Sequence, residues 1–250
     1  MLTFFRKIRK SLLGNGSAPR YIMYAVGEIA LVVIGILIAL QINNWNEDRI
    51  IAREIDNSLL KVKKDLENDF EIFGRQDSIF GTMISKAKHI QQLLLNENDM
   101  NQVSELRSLR LAPRNFDYFS FAFESTVNTG ILYKIEDDEL VYEISDYYRN
   151  MDDQTEIMSR HNASLRGHKT GEAMDPFNFI TLIGENMVPS RSISLHWLND
   201  YDSRYFQASQ VYLAQYIALF SYNQQRMKDF QVLNRRLDQM IDNFIQNRKS

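Results

Sequence analysis

The residues in this chain that could do chemistry are few and scattered. Glu28 is the exception by position, because it interrupts a run of apolar residues long enough to cross a membrane. A carboxylate there is costly and is a functional candidate by default, as a contact to a partner span or a proton carrier. The competing reading places it a turn or two inside the boundary, within reach of headgroup water. His161, His168, Glu172 and Asp175 could gather around a metal ion, yet the two histidines lie in a polar segment with no second cluster to support them. Arg166–Gly171 (RGHKTG) only faintly resembles a phosphate loop, since it lacks the Gly-Lys pair and a preceding apolar strand. No G-x-S-x-G, H-E-x-x-H, EF-hand or G-x-G-x-x-G pattern occurs. The chain has no cysteine, which excludes disulfides, thiolate metal sites and cysteine nucleophiles. His89 and His196 read as ordinary helix or core histidines, and Asp137-Asp138 and Asp152-Asp153 as helix caps or a solvated face. The expectation is a protein without cofactor, bound metal or catalytic activity.

The element that positions Glu28 is the most informative part of the sequence. From Ile29 to Leu40 every residue is apolar or glycine, and Tyr21 to Gly27 extends the run. About 20 such residues form a helix of roughly 30 Å, the hydrocarbon thickness of a bilayer. Tyr21 and Tyr24 at one end and Trp45 at the other are placed as interfacial anchors. Helical spacing puts Glu28, Gly35 and Ala39 on one face, and Gly35-xxx-Ala39 permits close approach of another helix. That face predicts a contact with another membrane protein or with a second copy.

Charge sets the expected orientation. Arg6, Lys7, Arg9, Lys10 and Arg20 precede the run, and mixed charges follow it. Basic residues concentrate on the cytoplasmic side, so the N-terminus is expected inside a bacterial inner membrane and the rest in the periplasm. The length of the run and the lack of a small-x-small site predict an uncleaved anchor. The layout is then a basic amphipathic segment over 1–20, a transmembrane helix over 21–42 and a periplasmic domain over 43–250. Setting aside the five N-terminal cations and Glu28 leaves 24 basic against 31 acidic residues, a charge of about −7 that disfavours nucleic acid.

Glycine and proline are scarce, and the outer part reads as all-α. Ile55, Leu59, Val62, Leu66, Phe70, Phe73, Phe80, Ile84, Ala87, Ile90 and Leu94 recur at heptad-like spacing. Gly74 and Gly81 flank an expected break. A second long helix, over about 202–246, carries a matching face and starts at Asp202 or Ser203. Packing the two antiparallel buries both faces and gives an elongated, coiled-coil-like bundle. A third helix is expected from Asp137 to about Leu165, with a loop entering a short helix before Gly130. No internal repeat stands out. The aromatics Phe116, Tyr118, Phe119, Phe121 and Phe123 read either as the head of the core or as an exposed docking surface.

Two blocks carry a resemblance. YAVGEIALVVIGILIALQINNWNEDR, preceded by FFRKIRKSLL, resembles the N-terminal signature of an uncharacterised single-pass membrane family of the Bacteroidota, a domain of unknown function. STVNTGILYKIEDDELVYEISDYY resembles a second block of that family, a glycine turn between two short helices. The resemblance implies an inner-membrane, envelope-facing helical protein and brings no activity, cofactor or catalytic residue. The functional expectation is a membrane-anchored interaction module within an envelope complex. The alternatives are a ligand-sensing bundle that signals through a separate membrane partner, or an accessory subunit driven by ion-motive force through Glu28.

Overall fold

The computed structural model describes residues 18–95, 114–167 and 200–248. The basic segment before Ala18, the side chains of Tyr21 and Tyr24, and His168, Glu172, Asp175 and His196 lie outside the described residues. Among those described, all regular structure is helical: α1 (Ala18–Leu95), α2 (Phe121–Asn128), a 3-10 turn (Leu132–Lys134), α3 (Asp138–Gly167) and α4 (Arg204–Asn247). The protein divides into two compact units, Met1–Asp56 and Asn57–Ser250.

In the first unit the apolar run of α1 from Ile29 to Ile42 is exposed. Ile29, Leu31, Ile36, Leu37 and Ile42 each keep more than half of their surface open. α1 is the one helix among the described residues long and apolar enough to cross a membrane. Pro19 falls in its first turn, where the missing N–H removes no intrahelical bond.

The second unit is a three-helix bundle made of residues 57–95 of α1 together with α3 and α4. α1 and α4 run antiparallel, as the order of their contacts shows. Lys63 pairs with Asp238 at 3.1 Å and with Asp242 at 2.5 Å. Phe73 then meets Phe230 at 5.6 Å, Phe80 meets Phe220 at 5.5 Å, and Gln91 bonds Gln210 at 3.4 Å. α3 is also antiparallel to α4: Arg236 bonds Glu143, Gln154 bonds Asn223, and Gln215 bonds Ser164. The caps are those the sequence provides. The Ser203 hydroxyl accepts from the Phe206 N–H and starts α4, and Asp137 Oδ1 accepts from the Leu140 N–H and starts α3. Gly130, with φ +72°, occupies the left-handed turn beyond α2, a backbone region where a Cβ is disfavoured.

Two details differ from the pattern of apolar residues. The heptad core of α1 runs through Val62, Asp69, Met83 and Ile90 on one row and Leu59, Leu66, Phe73, Phe80, Ala87 and Leu94 on the other. Phe70 is therefore not a core residue; it is half-buried under the Arg235 guanidinium, 4.6 Å from its ring centre. Nor does α1 break at Gly74 and Gly81. A Cβ at Gly74 would meet the Gln231 amide at 3.3 Å, and one at Gly81 the Gln224 amide at 3.0 Å. Gln231 Nε2 donates to the Phe70 carbonyl and Gln224 Nε2 to the Asp77 carbonyl. One device is thus used twice, a heptad apart: a missing side chain on α1 admits a glutamine from α4 to the α1 backbone. The contact offsets part of the roughly 1 kcal/mol that glycine costs a helix.

The register is directly testable because the chain has no cysteine of its own. Gln91→Cys with Gln210→Cys is expected to cross-link with a short bifunctional maleimide. Gln91→Cys with Gln224→Cys is not, since Gln224 lies opposite Asp77. Gel mobility after labelling reads the result, and reversed yields would contradict the antiparallel register.

Candidate functional site

Each unit offers one region where residue types and geometry set something unusual. In the first it is the apolar run. Glu28 is half-buried on α1, while Gly35 and Ala39 are exposed. A Cβ built at Gly35 or Gly27 would meet nothing within 4 Å. The surface of α1 at Gly35 is thus open to a neighbouring helix or to lipid. Trp45 is exposed, with the Arg49 guanidinium 5.4 Å from its ring centre. An aromatic ring beside a cation suits the level of lipid headgroups.

The second region is a polar layer inside the bundle. Asp69 occupies a heptad core position and is wholly buried. Its Oδ1 accepts from the Phe119 N–H at 2.7 Å and its Oδ2 from the Tyr147 hydroxyl at 3.0 Å. The Tyr147 oxygen in turn accepts from Asn234 Nδ2 at 3.1 Å, and the same amide donates to the Leu66 carbonyl at 2.8 Å. One network therefore joins α1, the segment leading into α2, α3 and α4. Among the described residues no ion pair involves Asp69. Burial, opposed by its two hydrogen bonds and reinforced by nearby Asp65, pushes the Asp69 carboxyl up to about 7.

Asp65 lies one turn earlier on α1 and extends the layer. Its carboxylate accepts from the Ala122 N–H at 2.9 Å, within the first turn of α2. The Ser120 side chain provides no cap and instead bonds Glu124 at 2.5 Å. Asp65 is therefore the anion at the start of α2, supplied by another helix. Aromatic rings close over the pair. Phe116 stacks on Phe73 at 5.9 Å, and Phe123 stacks on Tyr148 at 4.2 Å. The Tyr148 hydroxyl is buried without a hydrogen-bond partner among the described residues. The Tyr118 hydroxyl bonds Asp152 at 2.5 Å, and burial, reinforced by that bond, raises its pKa. Asp152 thus anchors the aromatic segment and is neither a cap nor a purely solvated residue. Of the aromatic band, Phe116 and Phe123 are packed, while Phe119 and Phe121 are exposed.

A further polar layer lies higher in the bundle. Gln154 donates to Asn223 at 2.9 Å, and Asn223 meets His161 Nδ1 at 3.1 Å. The His161 ring is edge-on to Tyr222, and burial holds its pKa below the usual imidazole range. His161 thus serves α3–α4 packing. Among the described residues no three histidine, aspartate or glutamate side chains gather as a metal site. A groove of about 410 Å³ between α1 and α4 is lined by Glu67, Phe70, Glu71, Arg235 and Asp238, not by the aromatic band.

Residues 28–160 match the family of unknown function DUF6090. The chain belongs to that family. No curated protein and no solved structure matches it. The matched region of DUF6090 holds Glu28, Asp65, Asp69, Phe119, Ala122, Tyr147 and Tyr148, whereas Asn223 and Asn234 lie beyond it. The polar layer is thus built largely within the family's own region and completed by α4.

Sequence reading missed Asp65 and Asp69 because it followed only the apolar residues. The available signal was their four-residue spacing, with Asp69 falling on the row of Val62, Met83 and Ile90. Two consequences are expected. Asp69→Ala leaves the Phe119 N–H and the Tyr147 hydroxyl without their acceptor, at a cost of about 2–3 kcal/mol in denaturant unfolding of the detergent-solubilised chain. The pH dependence follows from the raised carboxyl pKa. The folded state binds a proton more tightly than the unfolded one, so Asp69's contribution is full below about pH 4 and is lost as pH rises through about 7. Asp69→Asn is expected to remove that decline, and an unchanged pH profile in Asp69→Asn would refute the assignment.

Proposed function

We propose that this chain is a membrane-anchored helical interaction module that acts as a subunit of a bacterial envelope complex, with no catalytic activity of its own. In this reading the apolar run of α1 spans the inner membrane, the basic N-terminus faces the cytoplasm, and the bundle works in the periplasm. The observation that carries it is the contrast between the two units. The apolar side chains of the first are exposed around the whole helix, which water does not tolerate over this length and a bilayer does. The polar side chains buried in the second bond one another and the backbones of neighbouring helices, which suits a scaffold with a fixed shape.

The anchor has a role in recognition under this reading. Glu28, Gly35 and Ala39 share the face that meets a partner span, either of another membrane protein or of a second copy. Tyr21, Tyr24 and Trp45 set its depth. A small-residue stripe permits close backbone approach, and a carboxylate beside it supplies a polar contact that lipid cannot replace.

The experiment is purification of the tagged full-length chain from its own membranes in mild detergent, as wild type and as Glu28→Gln. The expected result is a stoichiometric membrane partner, or a homo-oligomer, that is lost or reduced at least several-fold in Glu28→Gln. A monomer that retains no partner in either form would sink the proposal. A complex unchanged by the substitution would remove Glu28 from the contact face.

A further inference from the structure

We infer that Asp65 and Asp69 form a proton-operated latch that holds the segment from Phe116 to Asn128 against the bundle. Both carboxylates act on this segment, and Asp69 also accepts from the Tyr147 hydroxyl of α3. Asp69 holds the Phe119 N–H at 2.7 Å and Asp65 the Ala122 N–H at 2.9 Å, so both grip the backbone where the segment turns into α2. α2 is only eight residues long, and its start depends on these donors being satisfied from α1. Release of the two carboxylates removes the cap of α2 and frees its exposed aromatics, Phe119 and Phe121, to change position.

Buried charge is what makes the latch respond to protons. Asp69 is wholly buried and, among the described residues, has no cation to neutralise it. The groups that face it are themselves neutral or acidic. α1 contributes Asp65, the segment contributes Tyr118, and α3 contributes Tyr147 and Tyr148. α4 contributes the neutral Asn234, while its Arg235 lies over Phe70 and its Asp238 pairs with Lys63. Burial of a lone carboxylate favours its protonated form. Opening the segment returns Asp69 to water, where it ionises readily.

The sign follows from linkage. The closed state binds the proton more tightly than the open state, so acidification closes the latch and alkalinisation loosens it. The range of action lies between the ordinary carboxylate pKa and about 7, the value to which burial raises Asp69. Neutralising Asp65 removes one source of repulsion in the closed state and so reduces the loosening that alkalinisation brings. The latch belongs to the bundle alone and does not depend on which partner the module meets.

Amide hydrogen exchange on the full-length chain in detergent tests this. Rates are corrected for intrinsic chemistry and compared at about pH 5.5 and about pH 8. In the wild type, the opening equilibrium of residues 119–128 is expected to rise about tenfold or more at the higher pH. Amides of α4 around Phe220 serve as the control and keep their protection. Asp69→Asn should stay protected at both values, and Asp65→Asn should show a smaller rise than the wild type. Equal protection of the wild-type segment at both values, or an equal rise in Asp69→Asn, would overturn the latch. Should Asp69→Asn fail to fold, the smaller rise in Asp65→Asn decides, and its absence also overturns the proposal.

Discussion

A carboxylate sits where a coiled-coil-like bundle calls for an apolar side chain, and much of the second unit is organised around satisfying it. Asp69 cannot reach water, and no cation among the described residues pairs with it. It must therefore draw donors from its neighbours. Phe119 supplies a backbone N–H and Tyr147 a hydroxyl, and Asn234 completes the network from α4. Each donor comes from a different segment, so satisfying one carboxylate fixes how four segments meet. Apolar heptads alone would tolerate a slip of one heptad along α4. A buried polar layer makes such a slip costly, because it would take Asn234 away from the Tyr147 hydroxyl and the Leu66 carbonyl.

The same logic recurs along the bundle. Gln154, Asn223 and His161 form a second polar layer, and Gly74 and Gly81 admit Gln231 and Gln224 to the backbone of α1. Between these layers the aromatics Phe73, Phe80, Phe220 and Phe230 provide the apolar burial. Hydrophobic area supplies the larger part of the stability, and the polar layers select one register from several of similar area. The first unit answers a different constraint. Its apolar surface is exposed rather than packed into an internal core, on a helix long and apolar enough to cross a membrane.

Much of this was legible in the sequence. The apolar run, the two long amphipathic faces, the third helix, the Ser203 cap and the turn at Gly130 all follow from local rules that the structure obeys. The errors have separate physical causes. Phe70 looked like core, and Asp69 was passed over, because only the apolar residues were followed. The heptad row assigns them the other way round. Gly74 and Gly81 looked like a break because helix propensity was weighed without the glutamines of α4, some 150 residues away in sequence. Asp65 could not be seen as the cap of α2, since the capping group and the capped helix are brought together only by the tertiary fold. The membership in DUF6090 was legible from two blocks, and those blocks flank the region that carries Asp65 and Asp69.

The central claim is that Asp69, Tyr147 and Asn234 act as one coupled unit across α1, α3 and α4. A double-mutant cycle on Asp69→Asn and Tyr147→Phe, read by denaturant unfolding of the full-length chain near neutral pH, tests it most directly. A coupling energy of about 1 kcal/mol or more is expected for a direct hydrogen bond in a buried network. Additivity within about 0.5 kcal/mol would contradict it, and would reduce the polar layer to separate side chains that happen to lie close together.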